Sequence, residues 1–246
     1  MKIAILSDLH SNLEALTACR ERALECGAQR FICLGDCIGY GPDPVGTLDL
    51  LMSLPGIVTV LGNHDEYHIL DGIERNLSPT IRQATEWTRA QLKPRHLDYL
   101  RSLPYVHVER GVTYVHASAA APQEWEYLFE PDQVMKCLRA ADTGLVFIGH
   151  VHIPGLFHQL GDDRVEALST SAGKPLPLLV HHRYMVNVGS VGQPRDDNSA
   201  ASFVIYDEEK YSVVFHRVAY DFAATGAKIL AAGLNPFFAE RLADGR

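Results

Sequence analysis

No stretch of this chain approaches the roughly eighteen consecutive apolar residues that a membrane-spanning helix needs, so no span is expected. The amino-terminal run Met-Lys-Ile-Ala-Ile-Leu-Ser-Asp stops being apolar after Leu6, too early for a secretory signal. Basic clusters are also missing. Lys and Arg number 22 against 30 Asp and Glu, a formal charge of −8, which argues against long nucleic acid or an anionic membrane as a partner. A local positive site built by bound metal remains compatible with that charge. Cysteine is sparse and unpatterned: Cys19, Cys26, Cys33, Cys37 and Cys137 make an odd set with no CxxC pair, so reduced thiols in a cytoplasmic setting are expected rather than a disulfide framework. Cys19, Cys26 and Cys33 read as small buried hydrophobes. Cys37 follows an aspartate of interest. Internal repeats, low-complexity tracts and linkers are absent as well.

What is present is ordinary for a soluble enzyme or binding domain, with 47% hydrophobic and 21% charged residues. At 246 residues the chain is near the upper limit for one hydrophobic core, so residues 1–246 are expected to form one domain. Ile3 to Leu6 is a short apolar run that reads as a buried strand. Leu13, Leu16, Ala23 and Leu24 recur at helical spacing between Asn12 and Cys26, and Gly27 supplies a stop. Phe31 to Leu34 is a second apolar run, so strand, helix and strand imply a parallel pair with a crossover.

A rigid Gly/Pro loop follows from Gly39 to Pro44, then a helix over Thr47 to Ser53 and a β-branched strand over Ile57 to Leu61. That strand runs into Gly62-Asn63-His64-Asp65, where Gly62 is expected to let the chain turn sharply. From Glu66 to Leu103, apolar spacing broken at Pro94 predicts a helical excursion beside the site that shapes access to it. Tyr105 to Val108 and Val112 to Val115 are expected to form a hairpin through Glu109-Arg110-Gly111. Pro131 to Ala141 is helical and Leu145 to Ile148 is a buried strand. The texture then turns β-rich, in segments at 155–158, 164–168, 184–188, 202–206 and 211–218, which suggests a second, mixed or antiparallel sheet closed by helices over Asp221 to Ala243.

Polar residues stand immediately after the apolar strands. Asp8 and His10 follow the first, Asp36 the second, Asn63 and His64 the third, His116 follows Val115, and His150 and His152 follow Ile148. In open α/β sheets the carboxyl ends of strands are where ligands bind. Carboxylate, amide oxygen and imidazole together suit Mn, Fe, Zn, Ni or Co better than calcium, and the absence of cysteine argues against structural zinc. Asp8-Leu-His10 and His150-Val-His152 place ligand types two apart, so an extended strand end would point both to one face. Taken singly, each His reads as a hydrogen-bonded residue and each Asp as a cap. Those readings would have to hold independently at every strand end.

The ordered set Asp8-Leu-His10, Gly35-Asp36, Gly62-Asn-His-Asp65, Val115-His116 and Gly149-His-Val-His152 resembles the calcineurin-like metallophosphoesterase superfamily, especially its small bacterial members. The later Asn187-Val-Gly-Ser-Val-Gly resembles the strand-turn that closes the site in those members. The resemblance implies a four-layer α/β/β/α sandwich with two β-sheets packed face to face and flanked by helices. It also implies a metal held by Asp8, His10, Asp36 and His152, and a second held by Asp36, Asn63, His116 and His150, with Asp36 bridging. Two divalent ions about 3.5 to 4 Å apart clamp a phosphoryl oxygen and hold a bridging water whose pKa falls to about 7, giving hydroxide for in-line attack. Manganese is the leading candidate. His64 would be the general acid or phosphate clamp for the leaving oxygen.

The sequence departs from the protein phosphatases of the superfamily, which carry an Asp-Arg pair where Gly39 and Tyr40 stand. A protein phosphatase or diadenosine-tetraphosphatase activity is weakened accordingly. Tyr40 is a candidate for a substrate oxygen, or else a loop tyrosine packing on its neighbours. Arg195 is the candidate for the missing cation, or else a surface arginine paired with Asp196 or Asp197. Asp65 is a candidate orienting partner for His64. The expected activity is hydrolysis of small phosphomonoesters or phosphodiesters; the alternative is a catalytically silent scaffold that binds a partner protein.

Overall fold

In the computed structural model the side chains of β1 (Lys2–Leu6) alternate between two cores, Ile3 and Ile5 facing one cluster and Ala4 and Leu6 the other. A strand buried on both faces must lie between layers. The structure describes residues 1–70, 72, 77–162 and 164–246. After α1 (Leu13–Glu25), the first half continues through β2 (Arg30–Cys33), α2 (Pro44–Met52), β3 (Val58–Thr59), α3 (Asn63–Ile69), α4 (Pro79–Gln91), α5 (Pro94–Arg101), β4 (Val106–Glu109) and β5 (Val112–Val115). The second half holds α6 (Pro131–Ala140), β6 (Leu145–Ile148), β7 (Gly155–Leu160), β8 (Arg164–Leu168), β9 (Pro175–Pro177), β10 (Tyr184–Asn187), β11 (Ala201–Asp207), β12 (Ser212–Val218), α7 (Phe222–Ala231) and α8 (Pro236–Asp244).

Two mixed six-stranded sheets result, in the orders β3-β2-β1-β11-β12-β9 and β4-β5-β6-β10-β7-β8. Their facing sides share one core, in which Ile3, Ile5 and Ile32 of the first sheet meet Tyr114, Phe147 and Val186 of the second. On the outer side of the first sheet, Ala15, Leu16 and Cys19 of α1 and Leu48 and Leu51 of α2 pack against Ala4, Leu6 and Phe31. On the outer side of the second, Val134, Cys137 and Leu138 of α6 cover Val146, Ile148 and Met185. This is the expected α/β/β/α sandwich. The strands β1, β2 and β3 run parallel, as do β5, β6 and β10, and each set delivers its carboxyl ends to the site loops.

Local signals explain most boundaries. Asn12 caps α1 by accepting from Ala15 N at 3.1 Å, and Gly27 leaves it at φ +82°. The hairpin of β4 and β5 turns on Arg110 (φ 49°) and Gly111 (φ 76°) alone, since Glu109 pairs with Val112 inside the ladder.

Several expectations fail for identifiable reasons. The β-rich second half does not form one sheet: β11, β12 and β9 join β1, because β11 pairs antiparallel with β1 along Lys2–Ile5. β9 was invisible between two prolines, which are tolerated because it is an edge strand. The segment from Ile57 to Leu61 narrows to the two-residue β3, and Asn63–Ile69 is a helix rather than a turn. Leu24 is 40% exposed instead of facing the core, and Cys26 is half-buried. The excursion from Glu66 to Leu103 is helical where described, while residues 71 and 73–76 lie outside the described set. No helix among the described residues is long and apolar enough to cross a membrane.

Candidate metal centre

The loops after β1, β2 and β6 are bent by left-handed residues. Asp8 (φ 53°), His10 (φ 46°), Asp36 (φ 52°), His150 (φ 64°) and His152 (φ 65°) all sit there without being glycine. Such a conformation costs about 1–3 kcal/mol per residue and collects at functional sites. It also corrects the expected geometry of Asp8-Leu-His10 and His150-Val-His152. The paired side chains converge through alternating turns, not through an extended strand, and the residues between them, Leu9 and Val151, are buried.

The seven expected ligands among the strand-end residues meet. Donor atoms of Asp8, His10, Asp36 and His152 lie within 4.8 Å of one another, as do those of Asp36, His116 and His150, so Asp36 belongs to both groups. Asn63 Oδ1 lies 3.2 Å from His116 Nε2 and completes the second. Every one of these side chains is buried.

The histidines are oriented for ligation. Nδ1–H of His116 donates to Leu34 O at 2.8 Å, Nδ1–H of His152 to Gln193 O at 2.6 Å, and Nε2–H of His150 to Trp125 O at 2.9 Å. A ring that donates from one nitrogen presents the lone pair of the other, here toward the cluster. The result brings His116 Nε2 and His150 Nδ1 to 3.1 Å, and His10 Nε2 and His152 Nε2 likewise to 3.1 Å. Asp8 Oδ1 is buried with no hydrogen bond. Facing lone pairs around an unbonded carboxylate oxygen fit a cation between them.

The electrostatics agree. Burial alone would raise the Asp8 and Asp36 carboxyls, yet the imidazoles around them hold both below the usual range. Burial lowers His150 to about 3 and His10 well below its usual value, which leaves neutral, ligand-competent rings. Burial also acts against protonated His116, but the field of Asp36 overrides it and raises the group to about 9. The same field would draw a cation to His116 Nε2 in place of that proton.

The other expected residues sit around this cluster. His64 backbone N donates to Asp36 Oδ1 at 2.8 Å, and its ring packs on Tyr40 (centroids 4.3 Å) and on Tyr67 (5.1 Å). Burial lowers it to about 4. Asp65 does not orient that ring. Its carboxylate accepts from Cys37 N at 2.9 Å, Ile38 N at 3.3 Å and Gly62 N at 3.2 Å, tying two site loops together. Burial, then Asp36, pushes the Asp65 carboxyl up to about 7. Gly39 (φ +96°) lies flat against His64, where an added Cβ would stand 3.0 Å from Nδ1, so packing rather than a carboxylate sets the ring.

Tyr40 covers His10 (centroids 4.6 Å) as well as His64. Arg195 is not paired with its acidic neighbours: Asp196 is held by Arg217 and Asp197 by Arg246. Its backbone N donates to His152 O at 3.2 Å, its Nη2 to Gln193 Oε1 at 2.9 Å, and its Nε is buried without a partner. The closing strand-turn braces the loops, with Asn187 Nδ2 donating to Gly149 O at 3.0 Å and Ser190 Oγ to Asp8 O at 2.9 Å. Sequence reasoning missed Tyr67, Trp125 and Tyr127 at the rim. Tyr127 stacks on His150 at 4.1 Å, but nothing in a polar loop distinguishes such a residue beforehand. A cavity of about 790 Å³ beside Arg110, Asp142 and His181 is lined by none of the cluster residues.

The profile of the calcineurin-like phosphoesterase superfamily domain matches residues 1–211. An uncharacterised protein of Methanocaldococcus jannaschii is 38% identical over 99% of this chain and 98% of its own length. The crystal structure of a metallophosphoesterase from Sphaerobacter thermophilus is 36% identical, with a TM-score of 0.86 over 100% of this chain and 99% of that one. A symmetrical bis(5'-nucleosyl)-tetraphosphatase of Pseudomonas fluorescens is 32% identical over 57% of this chain, which spans about half of that relative (49%). With its fold and buried donor cluster in agreement with these likenesses, the chain belongs to the calcineurin-like phosphoesterase superfamily and is a phosphoric ester hydrolase.

Proposed function

We propose that the chain, as one catalytic unit over residues 1–246, hydrolyses small phosphate esters at a dinuclear centre. Asp8, His10, Asp36 and His152 would hold one divalent ion and Asp36, Asn63, His116 and His150 the other, with Asp36 shared between them. The observation that carries this reading is the tautomer-locked set of imidazoles, His116, His150 and His152, aimed into a buried pair of carboxylates. Manganese is the first candidate, with iron, zinc, nickel and cobalt behind it. Bound there, two such ions supply Lewis acidity toward a phosphoryl oxygen and a nucleophile at neutral pH.

The chain's own residues do the rest. Among the described residues no carboxylate hydrogen-bonds the His64 ring, and it serves the leaving oxygen as general acid or phosphate clamp. Tyr40, stacked over His10 and His64, places its hydroxyl at the mouth, and Arg195 supplies a fork of donors to phosphoryl oxygens. The five unpaired thiols support a cytoplasmic setting. Relatives named as tetraphosphatases support including dinucleoside oligophosphates among the substrates screened.

Reconstituted with manganese, the protein should hydrolyse a generic aryl phosphodiester; no turnover with any divalent metal sinks the reading. His64→Ala should lower turnover while metal content stays intact. Loss of metal in that variant would make His64 a ligand instead.

A further inference from the structure

The carbonyl that takes the His150 ring proton belongs to Trp125, in the loop between β5 and α6. Trp125 stands at φ 53° without being glycine, a left-handed backbone that persists only where its surroundings hold it. Its indole supplies the hold. Nε1–H donates to Glu66 Oε2 at 3.1 Å, and Glu66 Oε1 accepts from the Tyr105 hydroxyl at 2.6 Å. Glu66 is buried, and burying a carboxylate is costly unless both of its oxygens are hydrogen-bonded, as they are here. A continuous chain of bonds thus runs from Glu66 through Trp125 to His150.

Glu66 lies on α3, the helix that begins at Asn63. Asn63 Nδ2 donates to Tyr67 OH at 3.1 Å on the same helix, and its Oδ1 lies 3.2 Å from His116 Nε2. α3 therefore sets Asn63 directly and reaches His150 through Trp125. Both residues stand beside His116, whose Nε2 is 3.1 Å from His150 Nδ1. His10 and His152 take no hydrogen bond from α3 among the described residues, and His152 is fixed from elsewhere, by Gln193 O.

We propose that Glu66 is a positioning residue for the His116 and His150 half of the centre. By holding the Trp125 indole it places the carbonyl that takes the His150 Nε2–H, and so aims His150 Nδ1 into the donor cluster. The effect on His150 belongs to the metal-free protein. Its consequence for the second ion rests on the dinuclear reading above.

The test compares wild type with Glu66→Ala, Glu66→Gln, Trp125→Phe and Tyr105→Phe. In metal-free protein, hydrogen exchange of the ring N–H groups of His116, His150 and His152 is followed by nuclear magnetic resonance. Glu66→Ala and Trp125→Phe should speed exchange at His150 about tenfold or more and leave His116 and His152 unmoved. Glu66→Gln keeps one acceptor oxygen and should restore part of the protection. Tyr105→Phe removes only the other bond to Glu66, so it should lower the melting temperature without exposing His150. In a manganese titration the same two variants should weaken one of two ions by about 10-fold to 100-fold and spare the other. Should wild type bind no ion while the His150 contrast persists, the dinuclear reading fails and the positioning role stands. Unchanged exchange at His150 in Glu66→Ala or in Trp125→Phe, or equal acceleration at all three histidines, overturns the proposal.

Discussion

Gly62→Ala isolates what holds the centre together. Gly62 has φ −100° and ψ 166°, a conformation open to any residue, so its glycine is not needed for the turn that the sequence suggests. The need is spatial. A Cβ there would stand 2.2 Å from Asp36 N and 2.2 Å from Asp36 Oδ1, and Gly35 faces it with the same intolerance, at 2.5 Å from Gly62 N. The obstructing atoms are backbone and a buried carboxylate, so no flexible side-chain end can yield, and the substitution should cost about 3 kcal/mol, the upper end for overpacking. At roughly 2–4 °C per kcal/mol for a chain of this size, melting should fall by about 6–12 °C. Metal content should fall with it, because Asp36 is the residue displaced. Gly226→Ala is the matched control: in α7 its new Cβ would meet only Ala239 Cβ at 3.5 Å, so it should stabilise by about 0.5–1 kcal/mol. Thermal melts with elemental analysis decide the matter. A Gly62→Ala protein that keeps its metal and melts alongside wild type refutes the close-approach argument.

Asp65→Ala removes the acceptor of three backbone N–H groups, those of Cys37, Ile38 and Gly62, and should cost about 3 kcal/mol by urea titration. An unchanged midpoint would mean that the two loops hold their positions without it. Manganese at about a hundredfold over its dissociation constant should stabilise the chain by about 2.7 kcal/mol, and a chelator should reverse the shift. No movement of the melting curve with any divalent ion would mean that the donor cluster does not bind one. A thiol reagent added to folded protein should label half-buried Cys26 first, since Cys19, Cys33, Cys37 and Cys137 are buried. Faster reaction at Cys37, next to Asp36, would show that the site loops open.

The donor set was legible because chemistry restricts it: only a few residue types can hold a hard or borderline cation, and they recur after each apolar strand. The parallel strands were legible for a similar reason, since runs buried on both faces carry no polar residues. What the residues could not announce is how the second half divides. β11 reads as any buried strand, yet it seats against β1, and through it the carboxyl-terminal third completes the first sheet. The rim was illegible too. Tyr67 and Tyr127 are common surface types, and only the fold sets them against His64 and His150.

The same division bears on how the centre forms. Asp8 and Asp36 come from the first sheet, and His116, His150 and His152 from the second, so the donor groups close only when the sheets pack through Ile3, Ile5, Phe147 and Val186. Their left-handed backbone is costly at five positions and is held by contacts across that boundary, such as His150 N to Asp8 Oδ2 at 3.0 Å and Gly192 N to Asp8 O at 2.8 Å. Folding of the sandwich thus sets the donor geometry in advance of any ion, and the proposed metal affinity depends on the inter-sheet core as well as on the donor groups.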